Sequence, residues 1–161
     1  MKTMTVDLGP RVGAKAPDFS LPKDINDSLS LSELVKTKPV LLLFYPSDFG
    51  MICSVEMKTF QSRLSEFKPF CHLIGISTNS VRSQGAWSMA LKLDFPLLSD
   101  LDGHVCKEWG VLVEEQGFME GRAYRTAFLI DTNMIVRYKW VPDDPSYEPD
   151  YDRLLTEVRK L

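Results

Sequence analysis

Residues 40–45, VLLLFY, are six consecutive apolar or aromatic residues between Pro39 and Pro46. That length and composition fit a strand buried on both faces; a helix would need a longer, periodic segment. A strand of this kind needs structure packed above and below it, so it commits the chain to a covered sheet. Pro46 ends the run. After a turn through Ser47, Asp48, Phe49 and Gly50, the apolar residues Met57, Phe60, Leu64 and Phe67 recur in steps of three and four. This spacing predicts an amphipathic helix starting near residues 51–54. Cys53 falls in its first turn.

The first-turn N–H groups of a helix lack intrahelical partners and carry the positive end of the helix dipole. For a cysteine placed there the favoured anion is the thiolate, and with a nearby cation the thiol pKa falls from about 8.5 to roughly 3.5–7.5. Each unit is worth about 1.4 kcal/mol. The same position also suits a cysteine acting as a small buried hydrophobe. Position alone leaves both readings standing.

At 161 residues, 44% hydrophobic and 25% charged, the chain is expected to form one domain over residues 1–161. A net charge of −3 argues against nucleic acid or an anionic membrane as partner. Residues 1–9 do not read as a signal peptide. Three unevenly spaced cysteines make no disulfide framework, which fits a cytoplasmic, reducing compartment.

In chain order, residues 12–21 read as an extended segment or edge strand. Ser30 and Glu33 have capping-box spacing and open a short helix over 31–36. Residues 71–77, CHLIGIS, form a second buried strand. Ser80 caps a helix to about residue 93, with Trp87, Ala90 and Leu91 on one face. Residues 95–98 are extended, and the turn at 99–103 leads into a half-helix holding Cys106 and Trp109. RTAFLID (125–131) and MIVRYKW (134–140) flank Thr132-Asn133 as a hairpin. A proline- and acid-rich loop (142–149) precedes a terminal helix over 151–160. Helices alternating with strands, then a hairpin, indicate an α/β sandwich with a mixed central β-sheet flanked by helices.

Some thiol chemistries are excluded. A dithiol shuttle would place a second cysteine three residues after Cys53, where Glu56 stands. A Cys-His hydrolase needs an imidazole base, and the two histidines, His72 and His104, read as packing or surface residues. Cys71, His72 and Cys106 lack metal-ligand spacing, so neither metal nor cofactor is expected. What remains is a thiolate assisted by a cation. Arg125, at the head of an apolar strand, is the candidate, although a strand-edge arginine needs no such role.

Taken together, FYPSDFGMICSVEM with Pro46, Phe49, Cys53 and Glu56, and RTAFLID with Arg125, closely resemble the peroxiredoxins, the alkyl hydroperoxide reductase and thiol-specific antioxidant family. VGAKAPDFSL (12–21), DFPLLSDLDGHV (94–105) and the Trp87 helix extend the resemblance over nearly the whole chain. It implies a thioredoxin-like fold and a thiol-dependent peroxidase acting on hydrogen peroxide or alkyl hydroperoxides. It further implies that Cys53 is the peroxidatic cysteine, that Arg125 holds its thiolate and the peroxide oxygens, that Pro46 shields the site and that Glu56 orients the arginine. Phe49, Met51 and Trp87 would supply apolar walls. Cys53 would become a sulfenic acid, to be reduced by a second thiol.

Gly50 departs from the family pattern, which has Thr or Ser there. Losing a hydrogen bond to a charged group costs about 1.5–3 kcal/mol, roughly tenfold to a hundredfold in rate, unless water or Ser47 substitutes. This keeps a second reading open, a peroxidase-weak or inactive redox-sensing or binding protein. For the resolving thiol, the ending of the chain soon after the last helix argues against the C-terminal type, and Lys58 against the local bacterioferritin-comigratory-protein type. Cys71 and Cys106 remain as resolving candidates, but a buried strand and the neighbourhood of Trp109 suit core thiols better. The expectation is therefore a one-Cys mechanism with an external thioredoxin- or glutaredoxin-like reductant, in a homodimer or larger assembly.

Overall fold

The structure, a computed structural model, describes residues 7–161. Most of the stretch read against a signal peptide, residues 1–6, lies outside the described residues. Two short strands, β1 Ser20–Pro22 and β2 Ser28–Ser30, pair antiparallel and lead into α1 Leu31–Leu34. Then follow β3 Val40–Phe44, α2 Met51–Ser62, α3 Leu64–Phe67, β4 His72–Ser77, α4 Val81–Leu91, β5 Leu97–Ser99 and α5 His104–Glu108. The hairpin β6 Thr126–Ile130 and β7 Val136–Trp140 and the helix α6 Tyr151–Arg159 complete the chain.

The main sheet has the order β5-β4-β3-β6-β7, with β3, β4 and β5 mutually parallel and β6 and β7 antiparallel. It is the mixed sheet expected of a thioredoxin-like fold. All five residues of β3 have zero exposure. The strand period of two sends them to opposite sides. Val40, Leu42 and Phe44 join a core with Leu31 of α1, Val105 and Cys106 of α5, and Trp109. Leu41 and Leu43 join a core with Cys53, Met57 and Phe60 of α2, Phe67 of α3, Trp87 of α4 and Leu154 of α6. An unbroken apolar run is what a strand between two such layers requires.

Several local readings need correction. The apolar spacing through Phe67 predicts one helix, but the chain breaks at Arg63 (φ −109°, ψ 11°), whose guanidinium donates to Glu66 and to Asp152 of α6, each at 2.8 Å. The capping-box bond at Ser30 is not made, because Ser30 is held in β2. The cap comes from Asp18, whose Oδ1 accepts from the Phe19 and Ser32 N–H groups, both at 2.9 Å. On α4 the buried face is Gln84 and Trp87, while Ala90 is exposed. Gln84 is drawn inside because its amide donates to Ser77 Oγ and the Leu98 carbonyl. A hydropathy pattern does not register such a buried polar residue.

The cap assignment is testable by urea unfolding. Asp18→Ala should lower stability by about 1 kcal/mol, and Ser30→Ala should stay within about 0.5 kcal/mol of the parent.

Candidate active site

The register of the sheet brings the site together. Phe44 of β3 pairs with Thr126 of β6, so Arg125, one residue before Thr126, lies level with Tyr45, where the chain leaves β3 for α2. Gly50 is the N-cap of α2 and Cys53 its third helical residue. Arg125 Nη1 donates to Cys53 Sγ at 3.3 Å and to Glu56 Oε1 at 2.7 Å. All three side chains are buried, Glu56 completely. Arg125 Nε donates to the Pro145 carbonyl at 2.8 Å, so the loop after β7 orients the guanidinium from its other edge. The backbone N–H of Ser47 faces the Cys53 sulfur.

The remaining residues singled out from the sequence fall around this centre. Pro46 is buried at the start of the turn. Phe49 is 61% exposed and takes a positive φ of 63°. Trp87 is 1% exposed; its ring lies 6.5 Å from that of Phe49 and 5.2 Å from that of Tyr45, and its Nε1 donates to Ser54. It therefore backs the site from within and presents no surface of its own. Gly50 has φ −63° and ψ 145°, backbone that any residue adopts. A Cβ there would stand 3.4 Å from Cys53 Sγ and 3.2 Å from the Ser47 carbonyl. The position admits a side chain if that carbonyl gives slightly.

Two contributors, Pro145 and Asp48, are not among the site residues the sequence points to, and a third, Ser47, contributes by its backbone instead of by the hydroxyl expected of it. Pro145 acts through its backbone carbonyl, which carries no residue-type signal. Asp48 reads from the sequence only as a turn residue, yet it is buried and accepts from Tyr45 and Ser83; its place next to the aromatic YP ending of the strand is the available clue. Ser47 acts through its N–H. His72 meets Thr37, and the His104 ring meets Asp102 on the surface. The nearby Asp100 carboxylate accepts from the Val105 and Cys106 N–H groups and so caps α5.

Burial pushes the Cys53 thiol above its ordinary value; the Arg125 charge and the Ser47 N–H oppose this, and the Glu56 charge reinforces it. Helix position was readable from spacing, but desolvation and a competing carboxylate depend on packing. Glu56 is raised from 4.5 to about 7, chiefly by burial and against the pull of Arg125. Its Oε2 has no hydrogen-bond partner among the described residues. One cation thus serves two buried acids.

A pH dependence follows. The folded chain retains the Glu56 proton up to about pH 7, whereas at the ordinary value of 4.5 the unfolded chain has released it. The stabilisation from this group is therefore fully present below pH 4.5 and is lost as pH rises through about 7. Glu56→Gln, which cannot ionise, should remove that decline from a series of denaturant midpoints taken from pH 4 to 8.

The AhpC/TSA family profile matches residues 12–139. Over 134 residues the chain is 40% identical to the putative peroxiredoxin bcp of Coxiella burnetii, covering 80% of this chain and 87% of that protein. It is 34% identical over 152 residues to the chloroplastic 2-Cys peroxiredoxin BAS1 of Spinacia oleracea, covering 88% of this chain and 56% of the spinach protein. Among solved structures it superimposes on peroxidoxin BcpB from Mycobacterium tuberculosis with a TM-score of 0.82 and 30% identity, over 96% of this chain and 99% of that one. A buried cysteine at the head of a helix, bonded to an arginine from the neighbouring strand, therefore sits within a matching profile and a matching fold: the chain belongs to the AhpC/TSA family, the peroxiredoxins, and is a thiol-dependent peroxidase.

Proposed function

We propose that Cys53 is the peroxidatic cysteine and that Arg125 stabilises both its thiolate and the oxygen being displaced. The observation that carries this is the single guanidinium nitrogen bonded to both Cys53 Sγ and Glu56 Oε1. The thiolate attacks the terminal oxygen of a hydroperoxide. An S–O bond forms as the O–O bond breaks, and the leaving hydroxide or alkoxide takes up a proton. Charge moves from sulfur onto oxygen along a line that a buried guanidinium and the Ser47 N–H are placed to follow. Cys53 is left as a sulfenic acid. Glu56 orients Arg125, Pro46 limits access of water, and the exposed Phe49 and Met51 give the rim an apolar character suited to hydrogen peroxide or a small alkyl hydroperoxide.

An external thiol completes the cycle. It attacks the sulfenic sulfur, releasing water and forming a mixed disulfide, and a second external thiol then frees Cys53. The other cysteines support this reading. Cys106 belongs to the core on the opposite face of the sheet. Cys71 precedes β4 at the end where His72 pairs with Val40, while Cys53 follows the other end of β3. The length of β3 is about 13 Å at about 3.3 Å per residue, and a disulfide needs Cα atoms within about 7 Å. The reductant is of the thioredoxin or glutaredoxin kind, and a reducing compartment such as the cytoplasm suits three free thiols. The exposed Phe49, Met51 and Val55 beside the site suit a homodimer or larger assembly.

Cys53→Ser should abolish peroxide turnover with dithiothreitol as reductant, while Cys71→Ser and Cys106→Ser retain it. Retained turnover in Cys53→Ser would refute the assignment. Gly50→Thr should speed Cys53 oxidation by roughly tenfold to a hundredfold, the worth of a hydrogen bond to a charged group, as read by stopped-flow tryptophan fluorescence.

A further inference from the structure

The turn between β3 and α2 is held in a conformation it would not choose by itself. Phe49 has φ 63°, a region that bulky residues avoid. Gly50, as N-cap, offers no side chain to fix the start of α2. The turn's own bond, from the Gly50 N–H to the Ser47 carbonyl, is long at 3.3 Å. Yet this turn must aim the Ser47 N–H at sulfur and place Cys53 beside Arg125. The contacts that hold it come from Asp48.

The Asp48 carboxylate accepts from Tyr45 Oη at 2.7 Å and from Ser83 Oγ at 2.6 Å, and its N–H donates to Asn79 Oδ1 at 3.0 Å. Tyr45 continues the rigid central strand, Ser83 lies in the first turn of α4, and Asn79 follows β4. One buried residue thus ties the turn to three separate pieces of the scaffold. Tyr45 and Ser83 spend their hydroxyls on Asp48, and Asn79 is itself fixed by Ser77 Oγ at 3.2 Å. We propose that Asp48 is the positioning residue of this site: by bridging Tyr45 and Ser83 it holds residues 46–50 in the conformation that presents the Ser47 N–H to the Cys53 sulfur. Asp48 touches neither Cys53 nor substrate in this role; it acts through the turn. The proposal rests on Cys53 being the reactive thiol.

The test is the pH profile of Cys53 alkylation by iodoacetamide in Cys71→Ser/Cys106→Ser protein, which needs no peroxide and reports the thiolate directly. Asp48→Ala removes both accepted bonds, Asp48→Asn keeps the shape and one acceptor, and Ser83→Ala cuts the tie to α4 without altering the turn. Freeing the Ser47 N–H should move the alkylation midpoint to higher pH, by about one unit in Asp48→Ala, a tenfold loss of thiolate at a given pH. Ser83→Ala should shift it in the same direction by less, Asp48→Asn should recover part of the shift, and Asp48→Ala/Ser83→Ala should be no worse than Asp48→Ala. A residue with a merely structural role would lower the melting temperature and leave the midpoint of the folded protein in place. Unchanged midpoints in Ser83→Ala and in whichever Asp48 variants fold would overturn the proposal. A parent protein whose peroxide rate equals that of a free thiol would instead refute the peroxidase reading and leave this test intact.

Discussion

The Arg125 guanidinium is the interaction on which the site depends. A buried cation is tolerated only when it is paired and its N–H groups are satisfied, and here one nitrogen serves both Cys53 and Glu56 while Nε meets the Pro145 carbonyl. The pairing works in both directions. Arg125 makes burial of Glu56 tolerable, and Glu56 aligns Arg125 toward the sulfur. Burial raises both acids, so that Glu56 holds its proton to about pH 7; Arg125 opposes both shifts, and the Glu56 charge adds to the one at sulfur. The electrostatic state of the Cys53 thiol therefore belongs to the triplet and cannot be assigned to the cysteine alone.

The sheet supplies the rigidity that such a triplet needs. β3 is flanked by β4 and β6 and covered on both faces, so its C-terminal end is a fixed point. The antiparallel neighbour β6 delivers Arg125 to that point, and α2 starts from it. Between strand and helix lies the strained turn, fastened by Asp48 to elements on either side. Gly50 stands where the backbone places no demand for glycine. Its effect is chemical, the absence of a hydroxyl next to the sulfur, and not conformational.

Much of this was legible in the chain. VLLLFY could only be a strand between two layers, and the three- and four-residue spacing after Gly50 located α2 and put Cys53 in its first turn. The hairpin from Thr126 to Trp140 followed from two apolar runs flanking a polar pair. Errors arose where a partner distant in sequence overrode a local pattern. Asp18 displaced Ser30 as the cap of α1, Arg63 ended α2 through bonds that include Asp152, and Gln84 took a buried place on α4 that spacing had given to Ala90.

The sequence by itself determined the layered sheet, the position of Cys53 at a helix start and the residue types that mark a peroxiredoxin, because each of these is written in local periodicity or in short motifs. The tertiary structure alone decided how far Cys53 is desolvated, that Arg125 is shared with Glu56, that Cys71 and Cys106 stand at another end and another face of the sheet, and that Asp48 fastens the turn. The physical reason is common to all four. Desolvation and Coulomb pairing depend on distances between residues far apart in the chain, and those distances exist only once the strands have taken their register.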